Sequence, residues 1–575
     1  MASTGASMFG IRRGEPWGWI AAAAGLAVLV AAPILALLVI ATGSSGPLWP
    51  HLFAYVLPVA LKDTALLLLG VGIVVAVIGT GLAWLVTAYE FRGRRTLDWL
   101  LLLPLAMPTY IVAYAYLDLL HPLGPIQASL RWVLGMDDPR ALSFPDIRSL
   151  GGCIVLFGLV LYPYVFVSTR AMFLMQAGSL LEVSRTLGAG RLRTVFAVAL
   201  PLARPAIVVG VSLALLESLN DIGAVEFLGV ETLTRSIYST WINRSNLTGA
   251  AQMAMALLAI VVALIVVERQ ARRHQRFAAS GHRVRPAPPV RLRGWRAALA
   301  LGLGLLPFVF GFLLPAFQLL NETRKRVGFA GFSPAIGREI VNTLLVSAAA
   351  TAIAVALGLV VAYTARISRG PIGNGLMRLA SLGYAIPGTV LAIGAVTTLA
   401  AIDNSVGDLL ERRFGLSTGL ILSGTVAAVI YAYVVRFLAI SAGGIEAGLG
   451  KLSRTLDFAA RSLGETASGA VRRVHLPLIR PALGAAALLV FVDCMKELPA
   501  TLLLRPLNFE TLATHLYGEA VRGTYEDGAV AALCIVAFAL VPVIAVARLS
   551  RPAAPAFTAG RGLPEDLSPI AERSL

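Results

Sequence analysis

Four carboxylates stand out because they form two pairs with one spacing in a chain that is poor in charge. Glu217 and Asp221 are four residues apart, and Asp493 and Glu497 repeat that spacing 276 positions later (493 − 217 = 276). Residues four apart lie on one face of an α-helix. Carboxylate oxygens are ligands that hard cations prefer. The four side chains therefore predict a negatively charged site that a hard cation can contact.

The surroundings of these carboxylates are apolar, which limits what they can do. Glu217 lies 12 residues after Pro205, about 18 Å along a helix that rises 1.5 Å per residue. Carboxylates at membrane depth are costly and face a water-filled cavity or a partner. We expect them to line the outer part of a passage; alternatively, they pair with Lys496 or with helix ends and only close it. A high-affinity metal site is not expected, because a passage must release what it admits.

Composition places these residues in a membrane protein. The chain has 575 residues, of which 57% are hydrophobic and 14% charged, and its mean hydropathy is +0.79. Soluble domains average about 25% charged residues, so a soluble enzyme is excluded. The net charge of +17 comes from basic residues in short loops between apolar runs, which indicates a membrane lipid environment and no nucleic-acid partner. The three cysteines lack disulfide or zinc-site spacing.

Twelve stretches of about 20 apolar residues are long enough to cross a membrane. They begin near Trp17, Thr64, Leu97, Leu150, Arg204, Gln252, Ala297, Asn342, Leu376, Leu416, Arg480 and Gly528. Arginine-rich loops follow spans four and six, so both termini are predicted to be cytoplasmic. One loop, between spans seven and eight, disagrees with this orientation. Its basic residues on the predicted outer side are Arg324, Lys325, Arg326 and Arg338.

An internal repeat divides the chain. Residues 185–206 and 461–482 share the pattern Arg-x-Leu-Gly followed by Leu-Pro-Leu-x-Arg-Pro-Ala, and Pro108 and Pro387 match at an offset of 279. Each copy holds six spans, an even number, so both copies enter the membrane from the same side. We therefore predict an all-α integral membrane protein of about twelve transmembrane helices. They form two parallel six-helix repeats related by a pseudo-two-fold axis along the membrane normal.

The predicted domain boundaries follow from this repeat. They are a first six-helix repeat at 1–270, a basic cytoplasmic linker at 271–296, a second six-helix repeat at 297–550 and a cytoplasmic tail at 551–575. A linker rich in arginine and proline is expected to be extended. The polar tail is predicted to be disordered.

The repeated segment lies between spans four and five of each half, on the predicted cytoplasmic side. In the first copy, a short helix with Glu182 and Arg185 on one face is predicted to end at Gly188, and Pro201 restarts the chain into the next span. The second copy has Arg461, Gly464 and Pro477 at the matching places, with Asp457 as the nearest carboxylate. A surface helix that occurs twice predicts two docking sites for a partner.

These segments resemble the Glu-Ala-Ala loop of membrane subunits of binding-protein-dependent ATP-binding-cassette importers. The first copy reads Glu-Val-Ser-Arg-Thr-Leu-Gly from Glu182, and the second reads Phe-Ala-Ala-Arg-Ser-Leu-Gly with Phe458 in place of the glutamate. The resemblance implies coupling loops seated on two copies of a cytoplasmic ATP-binding subunit. It also implies a bacterial inner-membrane location and a periplasmic or extracellular substrate-binding protein.

Residues 217–226 and 496–506 resemble the matching parts of fused ferric-iron permeases. This resemblance implies Fe(III) as cargo, which suits carboxylate oxygen. Related thiamine permeases share the architecture, so thiamine or another small solute is an alternative cargo. A secondary transporter driven by an ion gradient also uses parallel repeats and is the alternative of a different class.

No catalytic motif is visible in the sequence. The nearest approach to a phosphate-binding loop, at 445–452, has Ile445 in place of the first glycine and Leu452 where Ser or Thr should hold magnesium. We therefore expect no ATPase activity and no cofactor on this chain; ATP and Mg²⁺ are expected on the partner subunits.

Overall fold

The computed structural model describes residues 17–138, 142, 144–175, 186, 190–273, 289–368, 371–417 and 419–549. Three sets of predictions fall outside these residues. They concern Glu182, Arg185 and Gly188 of the first docking loop, most of the linker at 274–288, and the tail at 551–575.

The described chain is almost entirely helical, as predicted. In chain order its α-helices are α1 (Trp17–Ala41), α2 (Leu48–His51), α3 (Leu57–Ala88), α4 (Arg94–Leu100), α5 (Thr109–Leu119), α6 (Pro125–Leu134), α7 (Leu150–Met175), α8 (Arg191–Thr194), α9 (Leu200–Asn220), α10 (Gly223–Phe227), α11 (Leu233–Ile242), α12 (Leu247–Arg273), α13 (Trp295–Phe308), α14 (Leu314–Ala330), α15 (Pro334–Ile367), α16 (Pro371–Ala380), α17 (Gly388–Phe414), α18 (Val426–Gly450), α19 (Thr455–Ser462), α20 (Ala467–Ala470), α21 (Leu476–Met495), α22 (Pro499–Leu504), α23 (Leu512–Arg522) and α24 (Tyr525–Leu549). Turns of π-helix cover Leu52–Val56, Val195–Ala199, Val309–Leu313 and Val471–His475, and 3₁₀ turns cover Leu103–Ala106 and Leu382–Ala385. A short strand, β1 (Tyr89–Glu90), pairs in parallel with β2 (Val290–Arg291) and ties the start of the second half to the first.

Most of this length is in helices that can cross a membrane. Among the described residues, eleven helices are long and apolar enough to do so, and one bent pair of helices would make a twelfth. The prediction of an all-α membrane protein with about twelve spans is confirmed.

The third predicted span, from near Leu97, is broken. Arg94–Ala106 and Thr109–Leu119 meet at an angle of 91°. Pro108 caps the second of these helices with extended backbone, and the residue before a proline is driven out of the α conformation. Hydropathy registers apolar composition and not chain direction, so the sequence prediction missed the bend.

The ninth predicted span, from near Leu376, is divided in the same way. Helix α16 and a 3₁₀ turn come first, and the spanning helix is α17. Pro387 caps α17 with the same extended backbone as its counterpart in the first half. The two halves therefore share this break at an offset of 279.

Each described π-helical turn ends directly before a Leu-Pro pair. Proline lacks an N–H group and its ring crowds the carbonyl four residues earlier, and a π turn widens the helix at that point. Counted together with the π turns that precede them, the spanning segments that contain Pro201 and Pro477 begin earlier than α9 and α21, at Val195 and Ala467. Both segments run through their prolines without a break. The prediction that these prolines start the spans is therefore wrong.

The two halves make the same contact at corresponding positions. Thr64 Oγ1 accepts the N–H of Leu233 at 2.9 Å, and Thr343 Oγ1 accepts the N–H of Leu512 at 2.9 Å. Thr343 lies 279 residues after Thr64, and Leu512 lies 279 residues after Leu233. Each threonine thus holds a short helix, α11 or α23, against a spanning helix, as expected of duplicated modules.

The first spanning helix of each half packs against the other half. Tyr431 donates its hydroxyl hydrogen to the carbonyl of Leu29 in α1 at 2.8 Å. Conversely, Tyr116 donates to the carbonyl of Phe310, between α13 and α14, at 2.7 Å. This exchange of helices fastens the halves to each other.

The basic loop that disagrees with the predicted orientation is partly neutralised. Arg326 forms an ion pair with Asp527 in α24. Lys325 Nζ lies 2.6 Å from Glu322 Oε1. Two of the four basic side chains are therefore paired with carboxylates.

Candidate functional site

Asp221 caps a short helix. Helix α9 ends one residue before it, and its own backbone is extended, so the expectation that it continues the helical face of Glu217 is wrong. Asp221 Oδ1 accepts the N–H of Ala224 at 2.7 Å, and the hydroxyl of Thr109 also donates to this carboxylate. A carboxylate at this place stabilises the N-terminus of α10.

Glu497 caps α22 in the second half and has stronger partners. Its carboxylate accepts the N–H groups of Ala500 at 3.0 Å and Thr501 at 3.1 Å. Arg436 Nη1 lies 2.9 Å from Glu497 Oε1, and both side chains are buried. Removing one partner from a buried ion pair typically costs about 3–5 kcal/mol, so this pair holds the middle of α18 and the start of α22 together.

Glu217 and Asp493 stay on α9 and α21 and are half-buried. Tyr164 donates its hydroxyl hydrogen to Glu217 Oε1 at 3.2 Å. Asp493 Oδ1 lies 2.8 Å from Lys496 Nζ. Of these two corresponding carboxylates, only Asp493 forms an ion pair with a described residue.

All four carboxylates line one cavity of about 90 Å³, which we call the carboxylate cavity. A larger cavity of about 600 Å³ adjoins it and extends to the ion pair of Asp98 with Arg170, whose atoms are 2.5 Å apart. The residues that line both cavities, which we call the waist, are Leu105, Tyr164, Tyr384, Asp493 and Lys496. The two cavities therefore adjoin at the waist.

Charge is distributed unequally between the halves. The cations among the described residues that line the carboxylate cavity, Arg436 and Lys496, both belong to the second half. The matching residues of the first half, 276 positions before Arg436 and Lys496, are Val160 and Asn220, which are neutral. Asn220 Oδ1 instead accepts the N–H of Gly388 at 2.7 Å. With four carboxylates and two cations ionised, the formal charge of the cavity is 2 − 4 = −2.

The carboxylates that line the cavity do not form a metal site. Within the described ranges, no group of three or more His, Cys, Asp or Glu side chains is arranged to hold a metal ion.

The lining residues that were not predicted from the sequence include Tyr164, Tyr384 and Arg436. Arg436 left a signal, because an arginine in the middle of an apolar span marks a functional position. The tyrosines left none, since aromatic residues are ordinary in apolar helices. Their role follows only from the way α7 and the turn before α17 face each other across the waist.

The second docking loop contains α19. Phe458 is 53% exposed on this helix, and Arg461 is exposed beside it. Asp457 is turned toward the protein, where Arg366 Nη2 lies 2.7 Å from its carboxylate. Gly464 follows the helix with a φ of +84°, the left-handed conformation that ends many helices.

The glycines near 448 do not form a phosphate-binding loop. Residues through Gly450 belong to α18, and Ile445, Gly448 and Leu449 are buried within it. A phosphate-binding loop must present free backbone N–H groups to its ligand, whereas helical N–H groups are used inside the helix.

The fold and this site define a multi-pass α-helical membrane protein with a charged internal cavity and an exposed helix in its second repeated loop. Residues 69–277 match the family described as binding-protein-dependent transport system inner membrane component. The molybdenum transport system permease protein ModB of Escherichia coli is 30% identical over 204 residues, which cover 34% of this chain and 84% of ModB. The chain belongs to this family of inner-membrane permeases.

Two relatives match along most of the chain. The Fe(3+)-transport system permease protein FbpB 2 of Haemophilus influenzae is 26% identical over 490 residues, covering 84% of this chain and 88% of the relative. The probable ABC transporter permease protein y4fN of Sinorhizobium fredii is 24% identical over 533 residues, covering 85% and 87%. This chain is accordingly a multi-pass inner-membrane permease subunit of a binding-protein-dependent importer. Its family implies a substrate-binding protein and an ATPase as partners.

Proposed function

We propose that this permease carries ferric iron delivered by a soluble binding protein. The observation that carries the proposal is the single cavity lined by Glu217, Asp221, Asp493 and Glu497. The likeness to FbpB 2, which is named for Fe(3+) transport and matches 84% of this chain, supports the same cargo.

The charge of the carboxylate cavity suits a small, highly charged cation. Carboxylate oxygens bind hard cations, and a formal charge of −2 in a narrow space raises their local concentration. At the waist, a passing cation displaces Lys496 from Asp493. Once the cation has left, the ammonium group pairs with Asp493 again, and the passage closes without retaining iron.

We further propose that the two cytoplasmic loops dock two copies of the ATPase subunit. On the second loop, Phe458 and Leu463 are 53% and 84% exposed, and apolar surface of this kind is what a partner groove covers. The residues assigned to docking at the first loop are Glu182, Arg185, Gly188 and Pro201. ATP and Mg²⁺ bind to the partner subunits, this chain binds no cofactor, and both termini are cytoplasmic.

The cargo is tested by uptake of radiolabelled ferric iron in iron-limited cells in which the gene is deleted and then restored. Labelled thiamine is run in parallel. Loss and rescue of iron uptake alone supports the proposal. Unchanged iron uptake after deletion contradicts it, and loss of thiamine uptake in the same cells would assign the alternative cargo.

A further inference from the structure

We infer that Arg366, Asp457 and His475 form a clamp that transmits motion from the second docking helix to the waist, and that the first half lacks this clamp. The inference rests on the proposed docking of an ATPase subunit at α19. It adds named positioning residues and an asymmetry between the two docking sites.

Arg366 is the centre of the clamp. Its Nη2 and Nε donate to Asp457 Oδ2 at 2.7 and 3.1 Å. The same guanidinium donates to the carbonyls of Leu449 and Leu452, where α18 ends. The Arg366 side chain is only 8% exposed. A planar guanidinium can hold several acceptors at once in a fixed geometry, so it fastens both ends of the loop that leads into α19.

His475 joins the docking helix to the passage. Its Nε2 lies 2.8 Å from Asp457 Oδ1, and its side chain is fully buried. His475 belongs to the spanning helix Ala467–Met495, which also carries Asp493 at the waist. The separation of 18 residues corresponds to about 27 Å of helix. Asp457 thus lies between this helix and α15, hydrogen-bonded to Arg366 of α15 and packed against His475, so that α19 is coupled to both.

Helix α19 carries both the clamp and the proposed docking surface. Asp457 and Ala460 lie on the inner side of α19, where Ala460 is buried, whereas Phe458 is exposed on an adjoining side. The exposed apolar surface and the clamp therefore occupy different faces of one two-turn helix. A displacement of the exposed face also displaces the clamp.

The first half has different chemistry at the three matching positions. Thr87 lies 279 residues before Arg366. Leu181 and Ala199 lie 276 residues before Asp457 and His475, and none of the three residues of the first half is ionisable. Thr87 donates instead to the carbonyl of Ala83 in its own helix at 2.7 Å. The ion pair of Arg366 with Asp457 therefore has no ionisable counterpart at the matching positions of the first half, and it holds the same loop where Phe458 replaces the glutamate of the first copy.

The test uses the full chain in lipid nanodiscs with its ATPase subunits and binding protein. Asp457→Asn removes the charge that holds Arg366. Glu465→Gln is the matched control, because Glu465 pairs with Arg473 at the surface of the same loop. We expect the Asp457→Asn variant to retain normal amounts of ATPase subunit. The stimulation of its ATP hydrolysis by the binding protein should be at least about fivefold smaller than in the wild type. The control should keep wild-type stimulation.

Wild-type stimulation in Asp457→Asn would overturn the clamp. If that variant is poorly recovered, Arg366→Lys replaces it, since lysine keeps the charge but cannot hold Asp457 and the carbonyls together. Reduced stimulation with normal recovery then supports the clamp, and wild-type stimulation overturns it. Failure of the wild-type chain to retain any ATPase subunit contradicts the proposed docking itself, which is a different result from a docked but uncoupled variant.

Discussion

At the residue scale, the four carboxylates have two kinds of surroundings. Asp221 and Glu497 accept backbone N–H groups at the starts of α10 and α22, so replacing them disturbs the local fold. Glu217 and Asp493 contact a tyrosine and a lysine at the waist. Substitutions at these two positions therefore report on the passage with the least structural damage.

Glu217→Gln is expected to lower the initial rate of ferric-iron uptake at least about tenfold, equivalent to about 1.4 kcal/mol. The amide keeps the size of the side chain but removes a charge that no described ion pair balances. The measurement compares cells with equal amounts of permease in the membrane. Glu226→Gln is the control, because Glu226 pairs with Arg235 at 2.6 Å outside the cavity lining. Uptake at the wild-type rate in Glu217→Gln would refute the assigned role.

Lys496→Gln is expected to slow iron uptake and to increase iron retention. Removing the ammonium leaves Asp493 unpaired and changes the formal charge of the cavity from −2 to −3. Equilibrium dialysis of purified permease against ferric citrate measures the retained iron. Lys325→Gln is the control, since Lys325 makes the same type of pair three residues apart, with Glu322. Equal retention by Lys496→Gln and the wild type would argue against displacement of the lysine by the cargo.

At the element scale, the packing of α3 against α7 depends on Gly79. A Cβ atom there would lie 2.7 Å from Val165 Cβ and 2.8 Å from the carbonyl oxygen of Tyr162, whereas one at Gly81 in the same helix would contact nothing. Gly79→Ala is expected to destabilise the permease by about 1–3 kcal/mol through overpacking. Gly81→Ala should be neutral or slightly stabilising, because alanine favours helix. Thermal unfolding in detergent measures both, and equal midpoints would contradict this packing.

The end of the docking helix α19 depends on Gly464. A β-branched residue is strongly disfavoured at a φ of +84°, so Gly464→Val should displace the loop and reduce recovery of the ATPase subunit with the permease. Gly450→Val is the control, because Gly450 is exposed at the end of α18 and a side chain there meets open space. Undiminished recovery with Gly464→Val would remove this loop from the docking site.

At the scale of the whole molecule, the number of spans and the repeat could be predicted from the sequence. The direction in which each helix runs or each side chain points could not. Apolar length identified about twelve spans, and the duplication identified equivalent positions such as Thr64 and Thr343, which make the same contact. The bend at Pro108, the exchange of first helices and the inward pairing of Asp457 depend on which way each element turns. Hydropathy and spacing do not record that direction.

Only part of the candidate site could be predicted from the sequence. The carboxylates could be found because charge is rare in apolar spans, and they do line one cavity. Their division into two that cap short helices, Asp221 and Glu497, and two that stay on spanning helices could not be predicted. It depends on α9 ending one residue before Asp221 and on α21 ending at Met495.

The most direct test of the account is ATP-dependent transport in proteoliposomes that contain the permease with its ATPase subunits. The binding protein, loaded with radiolabelled ferric iron, is supplied on the outside, and ATP is enclosed. We predict iron accumulation that requires both ATP and the binding protein and that falls at least about tenfold with Glu217→Gln. Iron accumulation without ATP, driven by an imposed ion gradient, would contradict ATP-driven import. Absence of iron accumulation by a complex that couples ATP hydrolysis to transport of another solute would contradict iron as the cargo.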